Sequence, residues 1–464
     1  MAFAATMPSE FAERRGWLKA EEIALLVLFA TLTFDNLNLL GVGQTGVGVS
    51  EITLAKLATL AALGIWTLRA LLTKDPRLLG AATGNLSTYF IYAFLLVSCL
   101  SIAAHSNIDP AKYPSNPWAI VIRRVQLVIV FYLILAIARR RQMFHYALAA
   151  YLLGGLLTCY AGCYELATGR QFLEVTPWQN TELLQGVGTV VRSQGLHEDA
   201  DHQVTFLMLG LAFVPYLWHC AKRWHWRAGL VLIAALYVVA AFGTGAKGGW
   251  IGMAMVFGFF LIALPGRKKW AAAAAVLVAG AATFVALGYS STVVTTEKFS
   301  TKYAFANTTR FGLIKMAWET VKDHPVFGAG TGSSFFLYHR YFPAAGSAVP
   351  NKPYPQTNDY MRVWAENGTV GLAVFLLMLG AVLLELGAAV RNAPDVDARM
   401  LGLGLLAAYL AMLWAMNIYA QLDSKYLWMT IGMAVAYANL YTPTKEATCL
   451  GREAASSPPV ASLT

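Results

Sequence analysis

Apolar runs of about 20 residues recur along the whole 464-residue chain, and this recurrence constrains the fold more than any other feature. A helical run of that length matches the hydrocarbon thickness of a lipid bilayer. Only 13% of the residues are charged, whereas soluble domains carry about 25%. Because lipid offers no partners to backbone polar groups, the runs predict an all-α integral membrane protein.

We predict about twelve transmembrane helices. Residues 1–289 hold helices one to nine, with a short outer loop at about 166–202, and residues 290–367 form a large outer loop between spans 9 and 10. Residues 368–442 hold the last three helices, and 443–464 form a polar tail that we expect to be disordered. The predicted spans are 23–40, 52–72, 86–104, 118–138, 143–165, 203–221, 228–243, 249–265, 270–289, 368–390, 400–418 and 424–441.

Clusters of basic residues give these spans an orientation. Lys and Arg concentrate in alternate short loops, for example at 139–141 and 267–269. Such loops face the cytoplasm, so we expect both termini to be cytoplasmic and the loops 166–202 and 290–367 to be periplasmic. The net charge of +10 is therefore a topology signal, and we expect no nucleic-acid partner. We also expect the first span to be retained, because charged residues precede it and no clean cleavage site follows it.

The large loop contains a predicted helix followed by a glycine-rich turn. Segment 308–323, TTRFGLIKMAWETVKD, is expected to lie along the membrane surface. Its apolar residues at helical spacing are Phe311, Ile314, Trp318 and Val321. Pro325 ends the helix, and the glycines of GAGTG (328–332) permit a sharp turn. This stretch follows no predicted strand and faces a compartment without ATP, so it does not indicate a nucleotide site.

One histidine lies among aromatic residues in SSFFLYHRYF (333–342). His339 is a candidate general base, because an imidazole can accept a proton near neutral pH. The alternative is a histidine that belongs to an interfacial belt of aromatic side chains. The adjacent Arg340 is a candidate anion ligand, or a side chain that extends to the lipid headgroups.

Basic residues at the outer ends of spans form a second candidate group. Charges within or beside spans are costly, and they mark functional sites by default. A diphosphate substrate would account for them, since guanidinium and ammonium groups neutralise phosphate oxygens. Contact with lipid headgroups is the alternative for each. The residues are Lys56, Arg123, Arg124, Arg192 in GTVVRSQG and Lys247 in FGTGAKGGW.

The stretch HEDADH (197–202) contains side chains that ligate metals. A solvated loop end can have the same composition, and no second donor cluster accompanies it. We therefore expect no metal and no cofactor.

Two longer stretches, RFGLIKMAWETVKDHPVFGAGTG (310–332) and NDYMRVWAENGTVGL (358–372), carry a family resemblance. Together with RSQG (192–195) and GTGAKGG (243–249), they give a chain that resembles the O-antigen ligase and polymerase superfamily, especially the lipid A-core:O-antigen ligases. The matching residues are Arg310, His324, Pro325, Gly328, Gly330, Gly332, Asn358, Tyr360, Glu366, Gly368 and Gly371.

The chain departs from the family pattern at two places. Ala246-Lys247 stands where the family has Ser-Arg, which keeps the positive charge but loses the bidentate fork. Thr357 stands where many members have a histidine before the motif asparagine. The resemblance therefore makes His339 the leading candidate for a catalytic histidine.

The resemblance implies a GT-C-like membrane glycosyltransferase of the bacterial inner membrane. Such an enzyme would transfer O-antigen polysaccharide from undecaprenyl diphosphate to a lipid A-core sugar at the periplasmic face, with inversion and without a metal. His339 would take the proton of the acceptor hydroxyl. The diphosphate would be bound by Arg192, Lys247 and Arg310, with Arg123, Arg124 and Arg340 as further phosphate ligands.

Two alternatives stay open at this point. An O-antigen polymerase or a protein O-oligosaccharyltransferase would use the same chemistry with another acceptor. A lipid or anion transporter would instead place its charged residues near the middle of the membrane, whereas the candidates here gather at the outer side.

Overall fold

A computed structural model of the chain describes most of the membrane helices and part of the large loop. The residues described are 19–32, 34, 54–73, 85–104, 117–168, 170, 172, 181–184, 188–191, 193–197, 199–263, 301–335, 337–342 and 356–441. Their helices are α1 (Ala20–Thr31), α2 (Leu54–Thr73), α3 (Leu86–Ala104), α4 (Pro117–Ile137), α5 (Arg141–Thr168), α6 (Ala200–Cys220), α7 (Trp224–Gly243), α8 (Lys247–Ala263), α9 (Thr301–Asp323), α10 (Tyr338–Tyr341), α11 (Asp359–Arg391), α12 (Val396–Ala415) and α13 (Lys425–Tyr441).

The chain is an all-α integral membrane protein, as the apolar runs predict. Eight of the described helices are long and apolar enough to cross a membrane, and α8 is a shorter apolar helix. Each predicted span corresponds to a described helix, except for 270–289, which lies outside the described residues. The predicted loop 166–202 contains a two-stranded antiparallel hairpin, β1 (Thr181–Leu184) and β2 (Gly188–Val191), which the sequence did not indicate.

The prediction for the first span, 23–40, is wrong at its end. Helix α1 ends at Thr31. The hydroxyl of Thr31 hydrogen-bonds the carbonyls of Val27 and Leu28 in the preceding turn. Weak helix formers follow in the sequence, including Thr33 and Asp35, so continuing the helix is unfavourable.

Helix α11 is longer than its predicted span of 368–390. Its 33 residues would reach about 50 Å, which exceeds the roughly 30 Å of a hydrocarbon core. The helix is kinked at Gly368, where φ is 70° and ψ is −171°. The predicted boundary at 367/368 therefore coincides with the kink, and the segment before it belongs structurally to the same element.

The membrane helices pack into one continuous hydrophobic core. The most extensive contacts join α11 to α3, α12 to α6, and α13 to α4, while α1 packs on both α2 and α5. Buried tyrosines add hydrogen bonds between helices. Tyr437 of α13, for instance, donates to the carbonyl of Ala398 in α12 at 2.8 Å.

The large loop has a small core of its own, between α9 and α10. Helix α9 begins at Thr301, before the predicted segment 308–323. Phe311 and Trp318 of the predicted apolar stripe are 67% and 47% exposed, and their contact with the membrane surface stays a prediction. The small core consists of Leu313, Met316, Tyr338, Tyr341 and Phe342.

Candidate functional site

The glycine-rich loop is fastened to the kink of α11 by close backbone contact. Gly328 and Gly368 have φ values of 68° and 70°, a region that side chains rarely tolerate. A Cβ on Gly368 would lie 2.2 Å from the carbonyl oxygen of Val326. A Cβ on Gly328 would lie 2.5 Å from the amide nitrogen of Asn367. Both positions therefore require glycine.

Backbone hydrogen bonds complete this junction. They run from Ala329 N to Ala365 O, Gly330 N to Glu366 O, Thr369 N to Pro325 O and Val370 N to Val326 O, with lengths between 2.8 and 3.2 Å. The polar groups that the kink at Gly368 releases from the helix are thus satisfied by the loop. The loop thereby holds the large-loop elements against α11.

Four charged side chains form a buried cluster beneath this junction, which we call the four-charge cluster: Arg124, Arg362, Glu366 and Asp423. Arg124 Nε donates to Asp423 at 3.0 Å, and Arg362 donates to Asp423 at 2.8 Å and to Glu366 at 3.0 Å. Arg124 also approaches Glu366, at 3.6 Å. Two positive and two negative groups compensate one another, which a buried cluster requires.

The loop that follows α12 brings Asp423 to this cluster. Asp359, at the start of α11, accepts the backbone amides of Gln421 and Leu422 at 2.6 and 2.8 Å. Burial alone raises the pKa of the Asp423 carboxyl, but the guanidinium groups of Arg362 and Arg124 hold that pKa well below its usual range. The cluster therefore joins α4, α11 and the loop before α13 by charge.

Arg124 and Arg123 lie differently, although the sequence predicts the same role for both. Arg124 is fully buried, and its guanidinium contacts Asp423, the Ser98 hydroxyl and the ring of Phe94. These contacts favour a structural role for Arg124, and its predicted contact with phosphate stays untested. Arg123 is exposed, and its charge adds to the lowering of the Asp423 pKa.

A surface pocket of about 170 Å³ lies beside α9, at Arg310 and Phe311. It is lined by Arg310, Phe311, Ile314, Thr357, Asn358, Asn417 and Ile418. Arg310 is exposed and has no ion-pair or hydrogen-bond partner in the described part of the chain. Thr357, which replaces the histidine of many family members, forms part of the same wall. The pocket combines one available cation with amide groups and an apolar floor.

The residue after Lys247 packs against this pocket. The lysine begins α8, and the next residue, Gly248, would place a Cβ 2.8 Å from the side chain of Ile418, which lines the pocket. Trp414 fixes this contact by donating its indole N–H to the Gly248 carbonyl at 2.9 Å. Lys247 is therefore the neighbour of a residue that packs on Ile418, and Arg310 lines the pocket that contains Ile418.

The RSQG stretch lies against the turn that leads into Lys247. The Ser193 amide donates to the Gly243 carbonyl at 3.2 Å. The carboxylate of Glu165, at the end of α5, accepts the amides of Gln194 and Gly195, both at 2.9 Å. Arg192 itself is outside the described residues. Ser193, the next residue, is nevertheless fixed beside the turn that leads to Lys247.

His339 lies in α10, and its side chain is outside the described residues. The short helix is well anchored, because Tyr338 stacks on Phe342 at 4.5 Å and Tyr341 donates to Asp323 at 2.7 Å. Burial and this hydrogen bond raise the pKa of Tyr341 to about 12. Arg340 is 66% exposed and lies 3.7 Å from Asp323, so it is partly neutralised at the protein surface.

The HEDADH stretch has other roles in the fold. Asp199 caps α6 by accepting the His202 amide at 2.7 Å. His197 is buried, and its Nδ1 lies 2.7 Å from the hydroxyl of Tyr426. In the part of the chain that the structure describes, no group of three or more His, Cys, Asp or Glu side chains is arranged to hold a metal ion.

The structure thus places Arg310 in the pocket wall, and Lys247 beside Gly248, which packs on Ile418 of that wall. Arg124 lies in the buried four-charge cluster, whereas the neighbouring Arg123 is exposed. Sequence reasoning missed Arg362 and Asp423 as members of the cluster that contains Arg124. The i, i+4 spacing of Arg362 and Glu366, just before a predicted span, was an available signal. Asp423 gave little signal, because an aspartate between two spans is usually a solvated loop residue.

Comparison with known families gives one match. Residues 230–376 match the family model described as O-Antigen ligase. This segment covers α7, α8, α9, the glycine-rich loop, α10 and the first half of α11, so it includes Lys247, Arg310 and His339. No curated protein matches the chain. The match confirms, over these residues, the resemblance that the sequence motifs indicate.

Proposed function

From the O-antigen ligase match over residues 230–376, we propose that the chain is an inverting, metal-independent glycosyltransferase of lipopolysaccharide biosynthesis. It transfers O-antigen polysaccharide from undecaprenyl diphosphate to a lipid A-core sugar, at the periplasmic face of the inner membrane. The observation that supports the proposal is that Arg310 lines a pocket whose residue Ile418 packs against Gly248, the neighbour of Lys247.

The two cations match the charge of the donor. The diphosphate carries the negative charge that develops as the glycosidic bond breaks, and a positive site stabilises this leaving group. Arg310 is available for this task, since it has no partner in the described part of the chain. Arg192, next to the anchored Ser193, would supply a third cation from the same edge.

The acceptor side of the reaction needs a base. The oxygen of the acceptor hydroxyl attacks the anomeric carbon as the bond from that carbon to the diphosphate oxygen breaks, which inverts the centre. The hydroxyl proton moves to His339, and the lipid diphosphate leaves with its bonding electrons. The hydrogen bond between Tyr341 and Asp323 anchors α10 to the end of α9, the helix that contains Arg310. This contact would hold His339 in place in the large loop. Arg340 and Arg123 are exposed cations that could meet further phosphates of either lipid.

The test is a reconstitution of purified protein with undecaprenyl-diphosphate-linked polysaccharide and rough lipopolysaccharide, without added metal. The expected product is a ladder of high-mass lipopolysaccharide from the wild type, and none from His339→Ala, which should insert and fold normally. Polysaccharide that lengthens on its lipid carrier, with lipopolysaccharide unchanged, would identify a polymerase instead. Transfer to a protein would identify an oligosaccharyltransferase, and the absence of any product would contradict glycosyl transfer.

A further inference from the structure

Glu366 is the point at which the large loop meets the four-charge cluster. The carboxylate oxygen Oε1 accepts the hydroxyl of Ser334 at 2.7 Å and the guanidinium of Arg362 at 3.0 Å. Glu366 is fully buried. A charge-assisted hydrogen bond at such a buried position is stronger than a neutral one in water.

Both the backbone and the side chain of Glu366 are fixed by further contacts. Its backbone carbonyl accepts the hydroxyl of Ser101 at 2.6 Å and the amide of Gly330 at 3.0 Å. Its side chain is flanked by Arg124 and Arg362, which are themselves tied to Asp423. The carboxylate is therefore a fixed reference point between the membrane helices and the large loop.

Ser334 connects this point to the His339 segment. It lies in a turn of 3₁₀ helix, Ser333–Phe335, which leads directly into α10. The Leu337 amide donates to the Ser333 carbonyl at 2.9 Å, and the Tyr341 amide donates to the Leu337 carbonyl at 3.0 Å. The turn and α10 are thus one hydrogen-bonded unit, with His339 five residues beyond Ser334.

The neighbouring Ser333 offers a comparison, because its hydroxyl does not contact Glu366 as that of Ser334 does. Ser333 lies in the same turn and is 2% exposed, against 5% for Ser334. The Ser333 hydroxyl has no hydrogen-bond partner among the residues that the structure describes. Two adjacent buried serines therefore differ mainly in the contact of one of them with Glu366.

We propose that Glu366 is a positioning residue, which sets the His339 segment above the membrane helices through the hydroxyl of Ser334. The expected effect on the transfer rate rests on the proposed function. The expected effect on the order of residues 337–342 does not depend on that function. Glu366 and Ser334 need not touch either substrate. A displacement of a catalytic group by about 1 Å can cost about 100-fold in rate. Loss of the single hydrogen bond between Ser334 and Glu366 is therefore expected to lower the rate of transfer.

The test compares Ser334→Ala with Ser333→Ala as a matched control and Ser334→Thr as a rescue that keeps the hydroxyl. For Ser334→Ala we expect kcat to fall about 10- to 100-fold, with the KM of donor and acceptor changed less than about twofold. Ser333→Ala should match the wild type, and Ser334→Thr should recover most of the rate. A role limited to stability would lower the amount of folded protein without this separation of kcat from KM.

Hydrogen exchange of the full-length protein in detergent, followed by mass spectrometry of peptides spanning 337–342, gives a readout without substrate. Ser334→Ala should exchange faster there than both the wild type and Ser333→Ala. Equal protection and equal kcat in the two alanine variants would overturn the proposal. If the wild type transfers nothing, the proposed function fails and the exchange rates alone decide this inference. If Ser334→Ala does not fold, Ser334→Cys, whose thiol is a weaker donor, replaces it in both measurements.

Discussion

A Cβ atom built on Gly368 would lie 2.4 Å from the amide nitrogen of Gly328, so the two glycines define how closely the large loop can approach α11. Both have positive φ, and the backbone hydrogen bonds of the junction surround them. The contact joins the large loop, which contains Arg310 and α10, to the membrane helix α11 at its kink.

Alanine at either glycine should disrupt this junction. Gly328→Ala and Gly368→Ala combine an unfavourable backbone conformation, about 1–2 kcal/mol, with a clash against backbone atoms that cannot move aside. We expect a clear loss of thermal stability and of transfer activity, measured on detergent-solubilised protein. Gly380→Ala and Gly387→Ala, on the same helix with open space around them, are the controls and should be neutral. Equal melting temperatures for all four variants would contradict the role of the junction.

Removing the charge of Asp423 should strongly destabilise the protein at neutral pH. Asp423→Asn leaves Arg124 and Arg362 without one of their two carboxylates, and breaking a buried ion pair costs about 3–5 kcal/mol. The exposed pair of Glu319 and Lys322 provides the control, because Glu319→Gln should cost less than about 1 kcal/mol. Thermal unfolding of the two variants measures the difference.

The effect of Asp423 should also depend on pH in a defined direction. Its pKa in the folded protein is depressed, so its stabilisation is fully present above the unfolded value of about 3.9 and is lost as the pH falls below that value. The difference in stability between the wild type and Asp423→Asn should therefore shrink as the pH falls below about 4. A difference that stays the same down to pH 3 would show that the charge of Asp423 does not stabilise the cluster.

Lys247 and Arg310 should act on the donor more than on the acceptor. Each charge-assisted contact with a diphosphate contributes about 1.5–3 kcal/mol, so Lys247→Ala and Arg310→Ala should each reduce kcat/KM for the lipid-linked donor about 10- to 100-fold. Lys247→Arg should retain activity, because it restores the residue that the family pattern has. Lys322→Ala, which removes an exposed lysine outside the pocket, is the control. A selective rise in the KM of the lipopolysaccharide acceptor would instead assign the pocket to the acceptor.

Chelation should not reduce transfer by the purified enzyme. The stretch HEDADH supplies a helix cap at Asp199 and a buried contact between His197 and Tyr426, and neither arrangement needs a metal. We expect the same rate with and without an excess of EDTA. Strong inhibition that a divalent cation reverses would show that a metal takes part in the reaction.

Several features could be predicted from the sequence because they depend on local pattern. The apolar runs gave the membrane helices, since lipid requires each span to satisfy its own backbone. The motif around Gly328 and Gly368 indicated a family resemblance, which the match to the O-antigen ligase model supports over residues 230–376. Lys247 became a candidate because charge beside a span is costly, and Arg310 because of the family resemblance. Arg310 lines the pocket, and Gly248, next to Lys247, packs on Ile418 of that pocket. The role of each stays a prediction.

Other features were decided only by the tertiary structure. The pairing of Arg124 with Asp423 and Glu366 joins residues about 240 to 300 positions apart, and no local periodicity encodes such a contact. The packing of α9 was also decided by the fold, which buries Leu313 and Met316 against α10 and leaves Phe311 and Trp318 exposed. The sequence by itself therefore determined the membrane helices, the family resemblance and the list of charged candidates. Which of those charges are buried as structural partners was decided by the packing of distant helices, because a buried charge is stable only where another part of the fold brings its counter-charge.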